Sequence, residues 1–108
     1  VRVTVGSATS SNVIPLNNLS GSPFNVGLFA DLSAGGSATF TVEYTYDDVF
    51  APNYNPATGN WLPHPSLTAQ TATKDSNIAY PVRGVRLTTS AGTGTATLTV
   101  IQAGGGGL

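Results

Sequence analysis

Cysteine and methionine are absent from the 108-residue sequence, and charged residues make up only 8% of it, against about 25% in ordinary soluble domains. The absence of cysteine excludes disulfide bonds and thiolate metal sites. Four Lys and Arg stand against five Asp and Glu, which leaves no basic patch for nucleic acid or an anionic membrane. No apolar run approaches the roughly 20 residues that span a bilayer, and residues 1–12 lack the apolar core of a signal peptide. We therefore expect no nucleic-acid partner and no membrane partner.

The composition is that of a folded domain. Hydrophobic residues make up 40% of the chain, and its Thr- and Val-rich runs favour strands. A chain of this length buries roughly two-thirds of its unfolded surface, which suffices for a core without disulfides. The scarcity of charge protects the surface poorly against self-association. We therefore expect the chain to bind its own copies or another protein, with a soluble monomer as the alternative.

Alternation of apolar and polar residues predicts strands. The clearest strand covers residues 37–46, and residues 24–32 should pair with it as a hairpin around a turn at 33–36. Residues 74–77 are expected to form a polar turn, and Pro15 should lie on a sheet edge or at a bulge. One face of the clearest strand contains Ala38, Phe40, Val42, Tyr44 and Tyr46, and the other contains Thr39, Thr41, Glu43 and Thr45. Further strands are predicted at residues 1–5, 13–17, 66–73, 78–89 (broken near Pro81 or Gly84) and 95–102.

Six or seven short strands with Gly and Pro turns, and no amphipathic helix, define the expected fold class. The prediction is an all-β, single-domain antiparallel β-sandwich or jelly-roll-like barrel with one long aromatic and Pro-rich loop. The domain is expected to cover residues 1–103. Residues 104–108 form a Gly-rich C-terminal tail.

Large side chains are concentrated in residues 44–65, which we call the aromatic segment. It holds the only Trp, the only His and three of the four Tyr. Such aromatic residues on a loop typically dominate a protein contact, and the predicted contact residues are Phe50, Tyr54, Trp61 and His64. The alternatives are that the aromatic residues cover the open end of the sandwich as a minor core, or form a sugar-binding platform. If Trp61 is a contact, Trp61→Ala should weaken binding by about 2 kcal/mol or more and leave the fold largely intact.

Catalytic chemistry is not indicated. His64 is the only imidazole, and a Ser-His-Asp arrangement would have to use it with Asp31, Asp47, Asp48 or Asp75. None of these lies in a recognisable nucleophile motif. We therefore expect no enzymatic activity.

The adjacent carboxylates Asp47 and Asp48 could belong to a calcium site, but the end of a strand is the preferred interpretation. Neighbouring residues on an extended strand point to opposite faces, so the pair does not chelate naturally. We expect Asp47 to cap a turn or to pair with Arg83 or Arg86, and we expect no metal and no cofactor.

Several blocks occur in a particular order along nearly the whole chain: SPFNVG (22–27), TFTVEYTYDDVF (39–50), NPATGNWLPHP (55–65), YPVRGVRL (80–87) and GTGTATLTVIQAG (92–104). In this order they resemble small all-β virion structural proteins of tailed bacteriophages.

The resemblance implies a non-enzymatic capsid decoration, or cement, protein. Such a protein stabilises the head shell by non-covalent contacts with the major capsid protein and with its own copies. It would be made in the bacterial host cytoplasm and reside on the capsid surface of the virion. The alternatives are a small tail or fibre component, or a carbohydrate- or receptor-binding tip that uses Trp61. The resemblance assigns no functional residue.

Overall fold

The computed structural model describes residues 2–6, 10–11, 13–16, 25–33, 38–90 and 94–103. Within these ranges the chain is all-β, with no helix, as predicted. The turn predicted at 33–36 lies outside the described residues after Ser33, and so does the tail at 104–108. The strands are β1 (Arg2–Val5), β2 (Ile14–Pro15), β3 (Asn25–Leu32), β4 (Phe40–Thr45), β5 (Leu62–Pro63), β6 (Lys74–Ile78), β7 (Gly84–Thr89) and β8 (Ala96–Ala103).

The strands form two four-stranded antiparallel sheets, packed as a β-sandwich. Sheet A has the order β1-β8-β3-β6, and sheet B has the order β2-β7-β4-β5. Pro15 lies on the edge strand β2, as predicted. The predicted hairpin of residues 24–32 with 37–46 is wrong, because β3 and β4 lie in different sheets. β3 and β4 each have one apolar face. Because the two strands lie in opposite sheets, these two faces meet in the core.

The core lies between the sheets and follows the period-two pattern. Residues 95–102 show the predicted alternation, with Ala96, Leu98 and Val100 buried. The buried residues of the neighbouring strands are Val26, Leu28 and Ala30 on β3, Phe40 and Val42 on β4, and Val85 and Leu87 on β7. Burial of these side chains supplies most of the stabilising free energy of the fold, at about 25 cal/mol per Å².

A polar strand replaces the polar turn predicted at residues 74–77. Residues 74–78 form β6, which pairs with β3 from Val26 to Ala30. As an edge strand it leaves most of its side chains in solvent, and Ile78 alone is buried. Its backbone ladder, rather than an apolar face, holds it in place. Conversely, the strand predicted at 66–73 is not formed, and Gln70 makes only an isolated bridge to Phe40.

The outer edge of β4 is covered by an irregular stretch of chain. The His64 amide donates to the Val42 carbonyl at 2.8 Å, and the Val42 amide donates to the Leu67 carbonyl at 3.0 Å. Phe40 and Gln70 exchange both backbone hydrogen bonds, at 2.8 and 2.9 Å. Prolines interrupt this stretch, so it satisfies the edge of β4 without offering a regular edge to another chain.

Candidate binding surface

The aromatic segment contains a loop whose ends are tied together. The Thr45 hydroxyl donates to the Asn60 carbonyl at 2.8 Å and accepts from the Asp47 amide at 3.0 Å. An Asp47 carboxylate oxygen accepts from the Asn60 amide at 2.7 Å. Asp47, which was predicted to cap a turn or to pair with Arg83 or Arg86, therefore joins the two ends of the loop. Residues 46–60 form an Ω-loop, a compact surface loop whose ends are close together.

The Ω-loop folds back over the outer face of sheet B. A Cβ atom on Gly84 would lie 3.1 Å from Val13 Cγ1 and 3.2 Å from Val49 Cγ1. The glycine therefore allows the loop to approach the strand. Thr45 pairs with Gly84 across the sheet and is completely buried. Thr45 lies on the same face of β4 as Thr41 and Glu43, as predicted, but the Ω-loop covers it and excludes solvent.

Arg86 on β7 fastens the other side of the loop to sheet B. Its Nε donates to a Glu43 carboxylate oxygen at 2.8 Å, and its guanidinium carbon lies 4.3 Å from the centre of the Trp61 ring. The Pro56 carbonyl accepts from Arg86 Nη1 at 3.3 Å and from Trp61 Nε1 at 3.1 Å. The predicted pairing of Arg86 with Asp47 is wrong, since Glu43 is the cross-strand neighbour of Arg86. We call these four residues the Arg86 clasp.

Trp61 is thus a packing residue of the loop. One face of its ring is occupied by a cation, its N–H is bonded within the chain, and the side chain is only partly exposed. The interpretation of Trp61 as local packing fits this geometry better than that of a free contact residue.

Tyr54 also packs inside the loop, whereas Phe50 does not. A Cβ on Gly59 would lie 2.5 Å from the Tyr54 hydroxyl oxygen, so the phenol lies directly over this glycine. Phe50 is 72% exposed, and its amide donates to an Asp48 carboxylate oxygen at 3.1 Å, which fixes the turn that presents it. Phe50 is therefore the predicted contact residue that the fold presents to solvent.

His64 is buried, with 4% of its surface exposed, and it does not present a contact to a partner. Its Nε2 donates to the Asn77 carbonyl at 2.8 Å, and its Nδ1 accepts from the Ser66 amide at 3.1 Å. Neither nitrogen meets a carboxylate or a hydroxyl group among the described residues. Because its backbone bonds to β4 and its ring to β6, His64 joins the two sheets.

Three tyrosines form a ridge where β4 ends. The Tyr44 ring meets Tyr46 at 6.0 Å and Tyr80 at 5.5 Å between ring centres, both edge-to-face. Leu62 pairs with Tyr44 across the strands and is exposed, as are Tyr46 and Tyr80. Although Tyr80 is in part exposed, desolvation by the neighbouring rings, a side-chain hydrogen bond with Tyr44 and repulsion from Tyr44 and Tyr46 raise the pKa of Tyr80 to about 12. We call these four residues the aromatic patch.

The two adjacent carboxylates have separate partners. Asp47 bonds to the neck of the Ω-loop, whereas Asp48 lies 4.0 Å from Arg83, with both side chains about half exposed. In the described ranges no three His, Asp or Glu side chains gather as metal ligands. Among those same residues, no helix has the length and apolar character to cross a membrane.

Comparison with family models, with curated proteins and with solved structures found no match for this chain.

Proposed function

We propose that this chain is a structural protein of a tailed-bacteriophage virion, and that it decorates the capsid by binding the major capsid protein without covalent bonds. The observation that carries the proposal is a set of exposed aromatic and apolar side chains held on β4, on β5 and on the loops that flank them. It consists of the aromatic patch and Phe50, which follows the Val49 that packs over Gly84. The resemblance of the sequence blocks to phage virion proteins supports the same function.

The physical properties of this surface suit a docking role. The neck of the Ω-loop and the Arg86 clasp hold the loop in one conformation, so binding costs little conformational entropy. Exposed Tyr and Phe side chains supply large contact areas with few rotatable bonds. The Tyr80 hydroxyl stays protonated at neutral pH, so the patch can be buried without desolvating a charge.

Decoration also explains why a modest surface suffices. Each copy would bind a repeated lattice of identical capsid subunits, and neighbouring copies would support one another. Linked weak contacts of this kind raise the overall avidity by orders of magnitude. In this proposal the chain has no catalytic role and needs no cofactor.

The test uses purified protein and undecorated capsids. We expect saturable binding and a higher capsid melting temperature, with Phe50→Ala and Tyr46→Ser each weakening attachment about tenfold, which corresponds to about 1.4 kcal/mol. Ala72→Ser is the control, because Ala72 is exposed and lies outside the aromatic patch and the Ω-loop. If the protein instead binds glycans or cells and ignores capsids, the receptor-binding alternative replaces decoration.

A further inference from the structure

A second exposed apolar surface lies on the outer face of sheet A. Ile101 is 69% exposed and Phe29 is 45% exposed. Gly27, which pairs with Ile101 across the sheet, leaves a gap between them. The gap belongs to a shallow groove of about 220 Å³ lined by Gly27, Leu28, Phe29, Asp75, Ser76, Thr99 and Ile101. The face therefore has both a protruding side chain and a recess beside it.

The strand register arranges charge across this face. Arg2 pairs with Thr99, Thr99 with Phe29, and Phe29 with Asp75, so these four side chains form one row across the sheet. The row has a cation on one edge strand and a carboxylate on the other. Both ends are exposed, and neither Arg2 nor Asp75 forms an ion pair within the described part of the chain.

We propose that the outer face of sheet A packs against the same face of a second copy of this chain. The two-fold axis runs parallel to the strands, between β8 and β3. This operation exchanges β1 with β6 and β8 with β3, and it leaves each row opposite itself. An interface of this kind must be self-complementary, and this face meets that requirement in two rows.

In the first row, Arg2 of each copy lies opposite Asp75 of the other, so two ion pairs close the two edges of the interface. In the second row, Ile101 of each copy lies over Gly27 of the other, where the missing side chain leaves space. A rotation of one copy that did not exchange the edge strands would place like charges together. Charge and shape thus favour the same symmetry.

The size of the face predicts a weak interface. Four strands about 4.8 Å apart and about five residues long, at about 3.4 Å per residue, cover roughly 300 Å² per copy. A stable complex typically buries about 800 Å² per partner. We therefore expect dimers of the free chain only at high protein concentration, and stable pairing where copies are held side by side.

The decisive test is a charge exchange, followed by sedimentation equilibrium of the full chain up to about 1 mM. We expect Arg2→Asp and Asp75→Arg each to weaken self-association at least tenfold. An equimolar mixture of the two variants should associate at least as well as the unsubstituted chain, because both ion pairs re-form between unlike copies. The double variant should also recover. A mixture no better than its components, or an unsubstituted chain that stays monomeric at 1 mM, would overturn the proposal.

The variant Gly27→Val distinguishes an effect on self-association from an effect on the stability of the fold. An added Cβ meets only the Ile101 carbonyl oxygen, at 3.7 Å, and valine suits a strand better than glycine. We expect the melting temperature of the monomer to rise while self-association falls at least tenfold. Undiminished association would overturn the proposal. These measurements use free protein, so they stand whether or not the chain binds a capsid, and Phe50→Ala should leave them unchanged.

Discussion

The guanidinium carbon of Arg86 lies 4.3 Å from the centre of the Trp61 ring, and this contact attaches the Ω-loop to the outer face of sheet B. The same guanidinium is held by Glu43 at 2.8 Å. A loop that carries the exposed Phe50 is therefore fixed to a strand that belongs to the core. The shape of the proposed contact surface depends on this attachment.

Arg86→Ala should loosen the Ω-loop without unfolding the domain. Because Trp61 is the only Trp, its fluorescence reports the loop directly. We expect emission at longer wavelength, stronger quenching by acrylamide and a stability loss of about 1–2 kcal/mol. Arg83→Ala is the control, since Arg83 is exposed and its ion pair is long and therefore worth little. Equal quenching in the two variants would contradict the role of the clasp.

His64→Ala should destabilise the whole domain. The substitution removes a buried side chain and leaves the Asn77 carbonyl without its 2.8 Å hydrogen bond. We expect a loss of about 2–4 kcal/mol in denaturant unfolding. Ser66→Ala is the control, because Ser66 contacts the ring only through its backbone amide. A loss below about 0.5 kcal/mol, typical of a surface substitution, would show that His64 does not join the sheets.

Stability should fall between about pH 10 and pH 12 because of Tyr80. Its pKa is raised from 10.0 to about 12 in the folded chain, so the unfolded state loses its proton first as the pH rises. In this window the folded state binds more protons than the unfolded state. The free energy of unfolding therefore decreases as the pH rises. Tyr80→Phe should flatten the decrease relative to the unsubstituted chain in melts across this range. An identical slope in both proteins would refute the assignment.

Ala69→Gly should stabilise the fold, against the usual cost of glycine. Ala69 has a φ of 51°, in the left-handed region that costs a side-chain-bearing residue about 1–2 kcal/mol. Relief of that strain should exceed the entropic cost of glycine, for a net gain of up to about 1 kcal/mol. Ala72→Gly, at an exposed position without positive φ, should lose about 0.5–1 kcal/mol. Equal losses at both positions would contradict this prediction.

The strand positions with clear alternation could be predicted from the sequence, and their partners could not. Residues 96–100 and 38–42 keep their predicted buried faces because the period-two pattern is local, whereas the predicted face is lost at the end of β4, where Tyr46 is exposed and Thr45 is buried. The pairing of β3 with β6 depends on contacts far apart in the chain. Lys74–Ile78 carries no apolar alternation at all, because an edge strand is held by its backbone.

The candidate site also has one part that the sequence predicts and another part that depends on contacts between distant residues. The density of aromatic residues predicted a contact element within residues 44–65, and of the four predicted contact residues Phe50 is the one that the structure shows 72% exposed. The burial of His64 arises from backbone pairing with Val42, which two flanking prolines do not reveal. The Arg86 clasp requires the register of β4 against β7, and Tyr80 joins the patch only through the connection between the sheets.

Cryo-electron microscopy of undecorated capsids incubated with this protein tests the proposed function most directly. We expect density for the β-sandwich at regular positions on the outside of the shell, with Phe50 and the aromatic patch facing the major capsid protein. Shells that remain bare at saturating protein concentration, or copies that meet the shell through another face with these side chains in solvent, would contradict it.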